Sequence, residues 1–131
     1  MLTRSSVAVL FLGALAPLLV SCGGGDAGSG SGSGTTVAVT ADEKSCDVAR
    51  TELDAGAVTF GVTNKGSSTT EVYIYGEKDG AYDRVVGEVE NIGPGTSRDL
   101  DVDLSGGSYE VACKPGQTGD GIRTPINVKG D

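Results

Sequence analysis

The sequence predicts an all-β fold, a sandwich of about seven short strands reached through a leader and a linker. Three observations predict it: apolar and polar residues alternate with period two from Thr36 onward, Gly, Pro, Asn or Asp interrupts the pattern roughly every eight to twelve residues, and no segment reads as a long helix.

Taken in order, "VAVT" sets Val37 and Val39 on one face, and "AVTFGVTN" sets Val58, Phe60 and Val62 inward with Thr59, Gly61 and Thr63 outward. After an "NKGSS" turn, "TTEVYIYG" places Val72 and Ile74 on one face and Glu71, Tyr73 and Tyr75 on the other. An "EKDG" turn follows, then a strand in "DRVVGEVENIGPG" that runs into a turn at Pro94 and Gly95. "SRDLDVDLSGG" has the cleanest alternation, with Leu100, Val102 and Leu104 inside and Asp99, Asp101 and Asp103 on a solvated face. Across a turn at Gly106 and Gly107, "SYEVAC" points Tyr109, Val111 and Cys113 inward and Glu110 and Ala112 outward. The irregular "KPGQTGDGIRT" reads as a flexible loop, lacking the Gly-Lys-Ser/Thr ending of a phosphate loop, and "PINVKG" supplies Ile126 and Val128 as the last strand.

Ahead of this body, Arg4 precedes an apolar run from Val7 to Val20 that ends in "LVSC". Fourteen residues are too few for the roughly 20 that cross hydrocarbon, so residues 1–21 read as a signal peptide and Cys22, in a pattern that resembles a bacterial lipobox, as the lipidated first residue of the mature chain. The expected location is the extracytoplasmic face of the cell membrane. Residues 22–34, with "GGGDAGSGSGSG", offer nothing that repays ordering entropy and read as a flexible tether with a reach of roughly 20 Å. Residues 35–131 are long enough for one modest domain with one core.

Once Arg4 is lost, nine cations face eighteen acids, a net charge of −9. No basic cluster is present, which argues against nucleic acid as a partner. Catalysis is not expected either: the chain has no histidine, and no Ser or Cys sits in a recognisable base-paired motif.

"PGTSRDLDVDLSGGSYEVAC" resembles the strand, turn and strand that lead to the copper cysteine of cupredoxins. More closely, "EKSCD" around Cys46, "VTNKG" with "TEVYIY" around Glu71, "GEVENIGPG" around Glu88 and Glu90, and "YEVAC" around Cys113 resemble the cupredoxin-like domain of EfeO, the envelope component of a bacterial iron-uptake system. The resemblance spans residues 36 to 129 and implies a cupredoxin-like Greek-key β-sandwich, metal binding in connection with uptake, and an envelope permease or haem-peroxidase-like partner. Larger family members are expected to continue into a peptidase-like helical domain with a His-x-x-Glu motif, where this sequence stops at Asp131, and some carry a Met near the second cysteine, where this one has Val111 and Ala112.

A type 1 copper site is excluded, because its trigonal set takes two imidazoles and a thiolate. The place of the first imidazole is held by Glu71; Glu88 and Glu90, two apart on one strand, share a face and would add charge beside it. The metal candidates are therefore Glu71, Glu90 and Glu88, joined by Cys46 and Cys113 only if these are reduced, with iron the first metal and copper the second. Outside the membrane the two thiols left after lipidation are expected to form a disulfide, Cys46 to Cys113, which competes with thiolate ligation. The tyrosines read as packing residues with wet hydroxyls, and Arg98 and Arg123 as possible partners for the acids. The expected function is a lipid-anchored, non-catalytic metal-binding module; the alternative is a disulfide-locked, metal-free structural or interaction domain of the envelope.

Overall fold

The structure, a computed structural model, describes residues 34–130. The signal peptide expected over 1–21, Cys22 and all but the last residue of the tether lie outside the described residues. The body consists of nine strands: β1 (Thr35–Ala41), β2 (Cys46–Val48), β3 (Glu52–Asp54), β4 (Gly56–Asn64), β5 (Thr70–Lys78), β6 (Ala81–Ile92), β7 (Ser97–Leu104), β8 (Gly107–Pro115) and β9 (Ile122–Lys129). Seven are long and correspond to the alternating segments; β2 and β3 have three residues each.

The strands form two sheets, one ordered β2-β1-β4-β7 and the other β3-β9-β8-β5-β6. The β1–β4 and β3–β9 pairs are parallel and the other pairs antiparallel. Period-two alternation then directs one side of each sheet into a shared core. Val37, Val39, Val58, Phe60, Val62 and Leu100 come from the first sheet and Val72, Ile74, Val111, Ile126 and Val128 from the second, all buried. Burying each such side chain contributes about 1.5–3 kcal/mol, and the β-branched majority suits a pleated surface. Gly87 marks where β6 crosses this interior, since a Cβ there would lie 2.4 Å from Val102 Cγ1.

Two features position the end of the sandwich at which β4 closes and β5 opens. Asn64, 1% exposed, donates its side-chain amide to Ser68 O and Ile92 O, both at 2.8 Å, and accepts from Gly66 N at 2.9 Å. It thereby ties the β4–β5 turn to the end of β6. Glu43, from the β1–β2 turn, accepts from the backbone and hydroxyl of Ser67 and from Ser68 N at 3.2 Å.

β6 does not follow simple alternation. Thr70 pairs with Ile92 and Val72 with Val89, so Glu90 and Asn91 together face the single residue Glu71. Asn91 takes the left-handed conformation at φ 57°, which asparagine tolerates better than most residues. This bulge turns Ile92 into the core, where it is fully buried, while leaving Glu90 on the outer face.

Candidate functional site

Cys46 and Cys113 are joined in a disulfide, with Cα atoms 5.5 Å apart, as a bridge requires. Cys46 begins β2 at the margin of one sheet and Cys113 sits in the middle of the other, so the bond fastens the sheets through the core. Both are buried, and Cys113 is at 0% exposure. The inward direction read from "YEVAC" is the one observed.

The glutamates lie on the other side of the same sheet. In the β5–β8 ladder Val72 pairs with Cys113 and faces the core with it, whereas Glu71 pairs with Lys114 on the outer face. Tyr73 lies opposite Glu88 across the β5–β6 ladder, and its hydroxyl donates to Glu90 Oε1 at 3.2 Å. Glu71, Glu88 and Glu90 are thus neighbours around the Tyr73 phenol, while both cysteine sulfurs are on the far side of the backbone. Loss of solvent, then the charges of Glu71 and Glu88 and the hydrogen bond to Glu90, hold the Tyr73 phenol well above its usual ionisation range.

The rest of this face is an ordered layer of rings and cations. Tyr73 and Tyr75 stack with centroids 5.5 Å apart and planes 10° from parallel. The Lys114 ammonium lies 4.0 Å from the Tyr73 centroid and donates to the Tyr75 hydroxyl at 2.8 Å. The Arg123 guanidinium covers Tyr75 at 4.4 Å and is held by Glu110 Oε2 and Tyr82 O, both at 2.9 Å. This cover explains why Tyr75, on an outer face, is only 8% exposed. Arg98 meets Glu90 differently, through the backbone carbonyl at 2.8 Å.

The loop after β8 borders the same face. Gly116 N donates to Thr69 O and the Gln117 side chain accepts from Asn91 N, each at 2.8 Å, which links the loop to the β6 bulge.

The donor set does not fit a type 1 copper site: the whole chain has no imidazole, and the sulfur of Cys113 is bonded to that of Cys46. Among the described residues no three His, Cys, Asp or Glu side chains come together closely enough to hold an ion. Glu71, Glu88 and Glu90 rise from one face of two adjacent strands about 4.8 Å apart, and side chains rising from such a face do not converge without rearrangement.

The core, the sheet order and the buried cysteine on β8 define a cupredoxin architecture, and the chain belongs to the cupredoxin-like domain family, whose model matches residues 8–122. Among solved structures it is similar to reduced auracyanin from the photosynthetic bacterium Roseiflexus castenholzii, with 15% identity over 74% of this chain and 98% of that one and a TM-score of 0.56. It is similar to reduced rusticyanin, with 22% identity over 74% and 81% of the two chains and a TM-score of 0.54. Auracyanin A, a blue copper protein from Chloroflexus aurantiacus, matches with 14% identity over 73% and 99% and a TM-score of 0.53. At these identities the likeness is one of fold. No curated protein matches the chain.

Proposed function

We propose that the chain is a lipid-anchored, extracytoplasmic cupredoxin-like module that is non-catalytic and acts as a disulfide-locked interaction domain of the cell envelope. The observation that carries this reading is the state of Cys113: the residue at the copper-cysteine position is buried and bonded to Cys46, in a chain without imidazoles. A sulfur so engaged is a poor ligand, and its effect is to clamp the two sheets. The anchor rests on Cys22 and the apolar run before it. Mass spectrometry of the exported protein under non-reducing conditions with thiol alkylation tests the bridge; two alkylated thiols in untreated protein would sink it. Loss of Cys22→Ser protein from the membrane fraction is the expected sign of the anchor.

A second reading is favoured by Glu71, Glu88 and Glu90 bordering one phenol. In it the carboxylates capture a cation, iron first and copper second, as the EfeO-type resemblance implies, for delivery to an envelope permease or haem-peroxidase-like partner. Calorimetric titration with ferric, ferrous and cupric ions separates the two. Binding tighter than about millimolar that disappears in Glu71→Ala/Glu90→Ala supports capture; no such binding supports the interaction domain.

A further inference from the structure

The five-stranded sheet has a part of its outer face that neither the cysteines nor the three glutamates occupy. Tyr109 pairs with Ile126 and Leu53 with Val128, and all four are buried in the core, so their chain neighbours Ser108, Pro125, Asn127 and Glu52 stand on the outer face. Asn127 has Glu52 opposite on one side and Ser108 on the other, which sets a carboxylate, a carboxamide and a hydroxyl in one row across three strands. Over this row lies an open groove of about 330 Å³ whose lining includes Thr51, Glu52, Tyr82, Ser108, Pro125 and Asn127. Tyr82 belongs to β6 and reaches the groove over the intervening β5. Glu77, its partner in the β5–β6 ladder, is turned away to accept from Gly80 N and leaves that path open. Arg123, itself held by Glu110, donates to Tyr82 O at 2.9 Å and pins the backbone that carries the ring. The aromatic wall of the groove is therefore in place before any ligand arrives.

We propose that this groove is a binding site for a neutral saccharide, with one face of a pyranose ring against Tyr82 and its hydroxyls read by Glu52, Asn127 and Ser108. The lining sorts the ligand classes. No Lys or Arg lines the groove and the chain carries a formal charge of −8, so an anion finds no counter-charge there. A hard cation needs several convergent oxygens, and Glu52 is the one carboxylate in the lining. A proline-rich peptide docks in a groove walled by aromatic rings, and Tyr82 is the one ring present. What fits is an uncharged ligand that is apolar on one face and edged with groups that both donate and accept. Asn127 Nδ2 donates to Glu52 Oε2 at 3.2 Å, so the two planar groups fix each other side by side. Their remaining lone pairs and amide hydrogen, with the Ser108 hydroxyl, suit neighbouring sugar hydroxyls, while the Tyr82 ring offers apolar area at low entropic cost. The volume is at the lower end of small-molecule sites, which suits a single sugar unit and its substituents. This site goes beyond both functional readings above, since it shares no residue with either.

Proton–nitrogen correlation spectra of the full chain, held in a polyoxyethylene detergent that carries no sugar, test this by titration with maltotetraose, cellotetraose, chitotetraose and mannotetraose. The expected result is saturable binding of at least one of them, millimolar or tighter, with shifts centred on the amides of Glu52, Tyr82, Ser108 and Asn127. Tyr82→Ala and, separately, Asn127→Ala at an exposed position should each weaken it about tenfold, and the same spectra report that each variant is folded. Tyr73→Leu, which removes a ring from the same sheet face outside the groove, should leave binding unchanged. No shift with any of the four sugars, shifts centred elsewhere, or affinity indifferent to both Tyr82→Ala and Asn127→Ala overturns the proposal. Binding of tetragalacturonate in place of the neutral sugars overturns it as well. The bridge, the anchor and metal capture are read by separate measurements, so failure here bears on none of them.

Discussion

Lys114 stands directly across from Glu71 in the β5–β8 ladder, yet its ammonium is turned away along the strand to the hydroxyl of Tyr75, 2.8 Å distant, over the ring of Tyr73. The choice follows from what surrounds it. Two stacked rings offer a cation an electron-rich face and a hydroxyl acceptor in one place. Glu71 is left beside Glu90 and Tyr73, and negative charge accumulates around one phenol.

The first prediction concerns that phenol. A tyrosine whose neutral form is favoured by lost solvent, by Glu71 and Glu88 and by Glu90 should give a late ionisation phase, above the usual value of 10.0, on alkaline titration followed by ultraviolet absorbance. Tyr73→Phe should abolish the late phase, and Glu88→Gln/Glu90→Gln should bring it back towards 10.0. The linkage has a definite sign. Because the folded-state value is raised, the contribution to stability is fully present below the unfolded value of 10.0 and is lost as pH rises above it. Wild-type protein should therefore lose stability more steeply above that pH than Tyr73→Phe does. Absence of any phase above the usual value that Tyr73→Phe removes would contradict this.

The disulfide gives the second prediction. It closes a loop spanning a sequence separation of 67, for which the chain-entropy model assigns roughly 4 kcal/mol. Urea unfolding of oxidised and fully reduced protein should differ by about that amount, with the midpoint falling on reduction. Cys46→Ala/Cys113→Ala should behave like the reduced form, since both sulfurs are in the core rather than at a solvent-facing site. Equal stability of the oxidised and reduced forms would mean that the clamp contributes little to the fold.

What could be read from the chain, and what could not, divides along physical lines. Period-two alternation correctly oriented Val58, Phe60 and Val62 on β4 and Tyr109, Val111 and Cys113 on β8, because the inward row of each strand is buried at every one of these positions. Val102 shares the parity of Leu100 and Leu104 but is half-buried, because β7 is an edge strand and its inner row is only partly covered. Leu53, 1% exposed, was missed: β3 has three residues, too few to show a period, and is held through its pairing with β9. The stretch "KPGQTGDGIRT", read as loop throughout, gives its first two residues to β8 and its last three to β9, with the turn between them. At the candidate site, the shared face of Glu88 and Glu90 was legible from spacing alone. The enclosure of Glu71 was not, since it arises from strands and side chains distant in sequence, and neither was the bulge at Asn91, whose only local signal is an asparagine before Ile92.

Asn64 carries the third prediction. Its amide satisfies Ser68 O, Ile92 O and Gly66 N from a position 1% exposed, and no water is needed to complete the set. Asn64→Ala removes all three partners at once and leaves the buried Ile92 carbonyl unpaired, at about 1–3 kcal/mol, with the part-buried Gly66 and Ser68 groups adding less, so a net loss of about 3 kcal/mol is expected. Asn64→Asp keeps the acceptor for Gly66 but places lone pairs against two carbonyls, and should be no better tolerated. Thermal and urea unfolding check both, and amide exchange should quicken at residues 65–69 before it does in the strands.

The last prediction is an acid limit set by two carboxylates of the β1–β2 turn, Asp42 half-buried and Glu43 exposed. Asp42 accepts from Lys44 N and Ser45 N at 2.7 Å and from the Ser45 hydroxyl at 2.9 Å, and these bonds hold its pKa below 3.8. Glu43 accepts from the hydroxyl and backbone of Ser67, and then from Ser68, which holds its pKa below 4.5. Depressed folded-state values mean that the stabilisation is complete above the unfolded values and is withdrawn as pH falls through the folded ones. Stability should thus begin to decline as the pH drops past about 4.5 and continue to do so below 3.8. Asp42→Asn/Glu43→Gln should flatten that decline, at the price of lower stability at neutral pH, where the charge-assisted bonds are lost. Amide exchange of Ser67 and Ser68 followed against pH should show the same limb, since Glu43 is what ties their turn to the neighbouring loop. An unchanged acid slope in the double variant would place the acid sensitivity elsewhere in the domain.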